Sequence, residues 1–323
     1  MKRTVILLAG VILFLAGIAL SFAIWLSGVQ PWGQLLTDNF LFARSLPFTF
    51  GLGIALGYWR ASGWKLGTEH RASDQAIRRF APSTIVLHVI AGAAVATLIA
   101  TGGWQYLKGL TGSDSPIYMG TVYRIHYIAA LLLIFVTVTV VTDWLLRSER
   151  SLTIGKGQFI RTMRGLAHEL PKPLGTIIGY GLGLDLRRAP PPTEQFTYYE
   201  RSVSFPTWEL AIALIVLTGV IKAMRYVYPI PGDLLYWISA IHVGSGVLLG
   251  LKLLDHLRYV LSPSRWPLMG AIATGWIPVA YVQKFHPAWY SRITSGSATS
   301  AATAPSPNAP PASRAVSSAG GGS

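Results

Sequence analysis

Cysteine is absent from all 323 residues, which excludes disulfides, iron–sulfur clusters and covalently attached c-type haem within this chain. Charge is scarce as well: 12% of residues are Asp, Glu, Lys or Arg, against 51% that are hydrophobic, and the mean hydropathy is +0.45. A chain with so little polar surface to expose belongs in a bilayer, and its length is a guide to span number more than to domain number. Acidic residues are the scarcest charged class, 13 against 27 basic, giving a net charge of +14. The basic residues flank apolar runs and do not form one continuous patch, so the excess speaks of membrane topology and not of nucleic acid.

What is present is a series of long apolar runs. Lys2 and Arg3 precede an uncharged stretch over 4–26, long enough to cross the bilayer. No small-residue cleavage site follows it, so it reads as an uncleaved anchor and not a secretory signal. A second run, about 40–59, is interrupted by Arg44, and topology argues for it. The segment that follows carries Arg60, Lys65, Arg71, Arg78 and Arg79, and the long segment from Arg147 to Arg201 carries nine Lys or Arg. Both belong in the cytoplasm by the positive-inside tendency, and only a span over 40–59 gives that parity. Four further spans, at about 83–103, 120–146, 207–224 and 233–261, complete a six-span protein with both termini cytoplasmic. Segments 27–38, 105–119 and 225–232 are then external.

Four histidines lie within the last four spans: His88, His126, His242 and His256. Ionisable side chains at membrane depth are expensive and demand a function. Fourteen residues separate His242 from His256, which brings the second side chain back to within roughly 40° of the first, about 21 Å further along the helix. Alternating span directions place His88 level with His256 near the inner surface, and His126 level with His242 near the outer one. Each pair is suited to clamp one haem iron through neutral imidazole nitrogens. A lone intramembrane histidine is ordinarily explained by a hydrogen bond across helices, but that does not account for two depth-matched pairs. A zinc site is disfavoured, since no carboxylate or thiol joins either pair and Asp255 points about 100° away from His256.

Small residues sit four positions after three of the histidines, on the same helix face: Gly92, Ala130 and Gly246. They leave room for a flat macrocycle. Thr101-Gly102 and Thr218-Gly219 form a weak internal echo near the outer ends of two outward-running spans, readable as helix ends loosened by glycine or as packing against a cofactor. Arg124, Arg78 and Arg79 lie near the histidines and are either interfacial snorkelling residues or partners for haem propionates. Arg124, inside a span, is the leading candidate, with Arg79 beside it and Lys222, Arg225, Lys252 and Arg258 behind. Tyr123 and Tyr127 read as interfacial belt residues.

In the cytoplasmic segment, about 147–205, the basic spacing over 155–168 predicts an amphipathic helix on the membrane surface, with His168 exposed. The stretch 266–290 is too interrupted by Pro267, Gly270, Gly275 and Pro278 to be a seventh span. From 293 the chain turns to Ser, Ala, Pro and Gly and reads as a disordered tail. The expected organisation is an N-terminal hairpin over 1–60, a core over 61–292 and a tail over 293–323. The expected fold is all-α, a four-helix di-haem bundle preceded by a two-helix hairpin.

The set Arg79-Phe80, His88, Tyr123-Arg124-Ile125-His126, His242 and His256, closing with His286-Pro287-Ala288-Trp289-Tyr290, resembles the cytochrome b (gamma) subunit of respiratory formate dehydrogenases. The related cytochrome b subunits of nickel–iron hydrogenases and thiosulfate reductases share that core, and the likeness covers about residues 75–292. The resemblance implies two haem b groups, with menaquinone or ubiquinone beside His88 and His256. It also implies an iron–sulfur or c-type cytochrome partner on the external face, near His126 and His242. One element departs from the family: its Asn-x-x-Gln-Lys before the third core helix is replaced by Phe196-Thr197-Tyr198-Tyr199-Glu200-Arg201. The N-terminal hairpin is a further addition to the shortest family members.

The expected function is therefore an electron-transfer subunit, not catalytic by itself, linking a partner redox subunit to the quinone pool. Tyr199, Glu200, Asp255 and His168 are the candidates for handling quinone protons. A proton-coupled transporter would require broken helices and a charged midplane site instead. A haem-free membrane anchor is the other alternative.

Overall fold

Apolar runs of this length have no water to satisfy their backbone groups in lipid, so each must close its own hydrogen bonds as a helix. In the computed structural model, which describes residues 2–26, 38–62, 75–112, 116–147, 154–155, 157–225 and 228–302, they do so. The long helices are α1 (Lys2–Leu26), α2 (Asp38–Ala61), α3 (Pro82–Thr111), α4 (Met119–Leu146), α7 (Phe205–Met224) and α8 (Gly232–Leu261). Two short helices, α5 (Phe159–Glu169) and α6 (Lys172–Gly181), occupy the segment between α4 and α7, and one π-helical turn at Glu200–Ser204 leads into α7. Five helices are long and apolar enough to cross a membrane: α1, α3, α4, α7 with its preceding turn, and α8. Their outward faces carry large apolar side chains such as Leu8, Leu15, Val89, Ile128, Leu217 and Leu254, the arrangement that lipid requires. The chain is a helical, multi-pass membrane protein.

Helix directions follow from side-chain pairings. Gly10 lies against Ile54 and Gly17 against Phe48, so α1 and α2 are antiparallel. The ring of Phe42 lies 5.1 Å from that of Tyr127, while Gly57 meets Thr139 and Thr142, so α2 runs parallel to α4. This contact is close: a Cβ on Gly57 would fall 2.5 Å from the Thr139 carbonyl oxygen, which only glycine permits. Arg60 at the end of α2 pairs with Asp143 of α4 at 3.4 Å, and Arg147 binds the other carboxylate oxygen at 2.6 Å. The helix around Arg44 is therefore integrated along its length, although it is less apolar than the five others.

In the core, α3 pairs with α4 and α7 with α8, and contacts of α3 with α8 and of α4 with α7 close the bundle. Ala94, Val95, Leu98, Ala129, Leu133, Ala211 and Leu249 form its buried centre.

Among the described residues after α8, no helix is long and apolar enough to cross a membrane. A 3-10 turn at Pro263–Arg265, α9 (Trp266–Thr274), β2 (Trp276–Pro278), α10 (Val279–Phe285) and α11 (Pro287–Ala302) fold into a small cap. The strand β1 (Ala76–Arg78), just before α3, pairs antiparallel with β2, with Ile77 opposite Ile277. Among the described residues, this pair of three-residue strands is the exception to an all-α fold. Ile77, Ile277, Val282 and Trp289 are fully buried beneath the bundle end that carries the N-terminus of α3 and the C-terminus of α8. The helix α11 continues to Ala302, past the expected start of the tail at 293, and the Ser/Ala/Pro/Gly stretch over 303–323 lies outside the described residues.

Candidate functional site

The four histidines fall at two levels of the bundle. His88, in the second turn of α3, and His256, late in α8, have ring centroids 6.1 Å apart and planes inclined by 53°. A metal held between two imidazole nitrogens at about 2 Å each brings ring centroids to roughly 6 Å, so the separation suits a shared ion. Trp208 of α7 meets His256 edge to face at 6.2 Å. At the opposite end, His126 and His242 lie within electrostatic range of each other. Leu249, fully buried, sits seven residues from each histidine of α8 and separates the levels, which are about 21 Å apart along that helix.

The outer level repeats one device twice. Thr101 of α3 lies 2.8 Å from His126 Nδ1, and Thr218 of α7 lies 2.9 Å from His242 Nδ1. Each threonine hydroxyl also reaches its own helix, 2.6 Å from the carbonyl of Thr97 or of Leu214. A hydroxyl has one proton, and an oxygen–oxygen distance that short requires it to be there. Towards the imidazole, each threonine can therefore only accept. Nδ1 of both histidines is the protonated nitrogen, and Nε2 keeps its lone pair, the state in which a histidine binds metal.

The glycine after each threonine completes the fit. A Cβ on Gly102 would stand 3.4 Å from His126 Cε1, and one on Gly219 would stand 3.3 Å from His242 Cε1. The Thr-Gly echo in the sequence is thus a seat for an imidazole ring, used once by each helix hairpin. A loosened helix end does not explain it.

Among the described residues no three His, Cys, Asp or Glu side chains converge to hold a metal ion. A haem would take two imidazoles from the protein at each level, His88 with His256 at one and His126 with His242 at the other. Space for a flat group is present: a Cβ on Gly92 would meet nothing within 4 Å, and one on Gly246 only Ile215 at an ordinary 3.6 Å. Ala130 packs on the central core. An apolar groove of about 340 Å³, lined by Ile99, Val247, Gly250, Leu251, Leu253 and Leu254, opens between α3 and α8.

The cations are distributed differently from the sequence expectation. Arg124 is exposed, and a two-residue step from His126 turns it about 200° around α4, to the opposite face. Lys222, one turn beyond Thr218 on α7, lies within electrostatic range of both His126 and His242. Arg79 is not directed at His88. It is buried in the cap, 5.4 Å from the rings of Phe80 and Phe196 and 5.8 Å from Trp289, with Nη1 3.3 Å from His286 Nε2. Its position between β1 and α3 draws it into the cap, because its backbone N–H donates to Gly275. Arg78 stacks on Trp276 at 5.4 Å.

Of the proton-handling candidates, Tyr199 and Asp255 come together: the Tyr199 hydroxyl donates to Asp255 at 3.2 Å, one residue from His256. Lys252 and Arg258 hold the same carboxylate at 3.2 and 2.8 Å. Burial, then the Asp255 carboxylate, pushes Tyr199 up from the usual phenol value. Glu200 is occupied in a reciprocal cap with Thr197, accepting from its backbone N–H at 2.7 Å. His168 is exposed on α5, as its sequence position suggested.

Comparison with protein-family models, curated proteins and solved structures finds no match. The likeness to di-haem cytochrome b subunits therefore rests on the sequence motifs of this chain alone. The core helices α3, α4 and α8 are continuous over 28 to 30 residues and carry no midplane charge cluster, unlike the broken helices of transporters.

Proposed function

We propose that this chain is a di-haem b-type cytochrome subunit that carries electrons across the bacterial cytoplasmic membrane, between a redox partner on the external face and the quinone pool. The observation that supports it most is the pair of two-histidine levels: rings 6.1 Å apart at one, and lone-pair Nε2 atoms fixed by threonine at the other. Haem b at each level would supply the one-electron chemistry. The chain's own residues provide ligation, a spacing set by fourteen residues of α8, and a dry separating layer centred on Leu249.

Lys222 is the preferred propionate partner at the outer level, since it lies within electrostatic range of both histidines on a helix that carries no nearby carboxylate. The Tyr199–Asp255 pair, at the edge of the bundle beside His256, is suited to exchange protons with a quinone headgroup. In this reading, which the resemblance to formate dehydrogenase gamma subunits motivates, an iron–sulfur or c-type cytochrome partner would lie beyond His126 and His242. Positive flanks at the other bundle end support a cytoplasmic side for that end and for both termini in this reading.

The test is quinol-driven reduction in liposomes. Quinol should reduce the b-type absorption of the wild-type protein. In His256→Ala, quinol should fail to reduce the absorption that remains, while dithionite still reduces it. Undiminished reduction by quinol in that variant would refute the route.

A further inference from the structure

We propose that Thr101 and Thr218 strengthen the two outer histidines as ligands, and so make the outer haem level electronically unlike the inner one. The inference rests on the di-haem reading above. Its basis is an asymmetry between the levels. At the outer level both Nδ1–H groups donate to a threonine oxygen at 2.8 and 2.9 Å. At the inner level, among the described residues, no hydrogen bond reaches a ring nitrogen of His88 or His256; Trp208 meets His256 in a T-shaped ring contact.

Hydrogen bonding at Nδ1 draws that proton away from the ring and raises the electron density at Nε2. A more basic imidazole favours the ferric over the ferrous ion, so the midpoint potential falls. Each threonine is itself fixed, because its hydroxyl proton is committed to the carbonyl four residues back in its helix. The acceptor lone pair cannot rotate away without breaking that bond. Thr218 is buried, and Gly219 and Gly102 bring each ring against the helix backbone, so water has little room to take the acceptor's place. Two acceptors on two different helices act on the same level, and neither acts on the other. Lys222 also lies within electrostatic range of this level, but its charge is unchanged by substituting either threonine, so the two influences separate experimentally.

The experiment is a redox titration of the purified protein, followed optically and by low-spin EPR, in wild type, Thr101→Val, Thr218→Val, the double variant and Thr101→Ser. Valine keeps the shape and removes the acceptor; serine keeps the acceptor. Each valine variant should raise the potential of one haem only, the double variant should raise it by about the sum of the two, and serine should restore it. Loss of one haem in Thr101→Val with retention in Thr101→Ser would support the same role. Unchanged potentials, or an equal shift of both haems, would overturn it. A wild-type preparation without b-type bands would instead overturn the haem reading itself, before any threonine variant is compared.

Discussion

At the scale of single residues, the chain uses histidine in two opposite ways. The outer histidines of the bundle have Nδ1–H satisfied and Nε2 left with its lone pair; His286 has both nitrogens spent on the protein. Its Nδ1–H donates to the Glu194 carbonyl at 2.7 Å, and its Nε2 accepts from Arg79 at 3.3 Å. The sequence placed Arg79-Phe80 and His286 to Tyr290 in one family-like set, and the structure joins them in one buried cluster, with structural work for Arg79 where a propionate contact was expected. That reassignment was not legible, because β1–β2 pairing brings together residues two hundred positions apart. Burial, and after it the Arg79 guanidinium, pulls His286 down to about 4. Since the unfolded value is near 6.5, the unfolded chain binds more protons between these limits, and stability rises with pH through that window. The contribution is complete above about pH 6.5 and is lost as pH falls towards 4, by about 3 kcal/mol at the acid limit. Thermal unfolding in detergent should show this loss in wild type and a flatter pH dependence in His286→Gln; equal slopes would contradict the assignment.

At the scale of elements, the histidine-bearing helices were legible because apolar length and fourteen-residue spacing are local properties. The extent of α3 was not: it runs to Thr111, eight residues past the expected boundary, because Gly103 and Gly109 do not break a helix that has begun. The character of α2 was also hard to read, since Arg44, Pro47 and three glycines weaken its apolar signal. Those glycines are what let it lie against α1 and α4, and its parallel alignment with α4 agrees with the six-span parity. The Arg60–Asp143–Arg147 cluster locks the end of this contact, with Arg60 and Asp143 side chains only 9% and 12% exposed. Asp143→Ala should destabilise the protein by about 3 kcal/mol, since it leaves Arg60 buried without its counter-ion. Gly57→Leu should be worse tolerated than Gly181→Leu, whose Cβ would meet open space. Unchanged melting of Asp143→Ala would show that the cluster is dispensable.

For the whole molecule, the two ends of the bundle differ in charge, and the proposed sidedness rests on that difference. The basic end gathers Arg60, Arg147, the α5–α6 segment and the cap; the other end has α3 leading into α4 and α7 leading into α8. Absence of cysteine makes this simple to test, because any introduced thiol is the only one. In intact cells a membrane-impermeant thiol reagent should label Thr111→Cys and Tyr228→Cys, while Arg188→Cys should react only after permeabilisation. The reverse pattern would invert the topology. The division into two levels was readable from sequence through helix direction alone, whereas the threonine seats needed the fold, since residues on neighbouring helices set them. The most direct measurement of the central claim is the haem content of the folded, purified chain by a pyridine haemochromogen assay. Two haem b per chain are predicted, falling to one in His242→Ala and to one in His256→Ala, with a different haem lost in each. A folded wild-type chain carrying none, or variants that keep both, would contradict it.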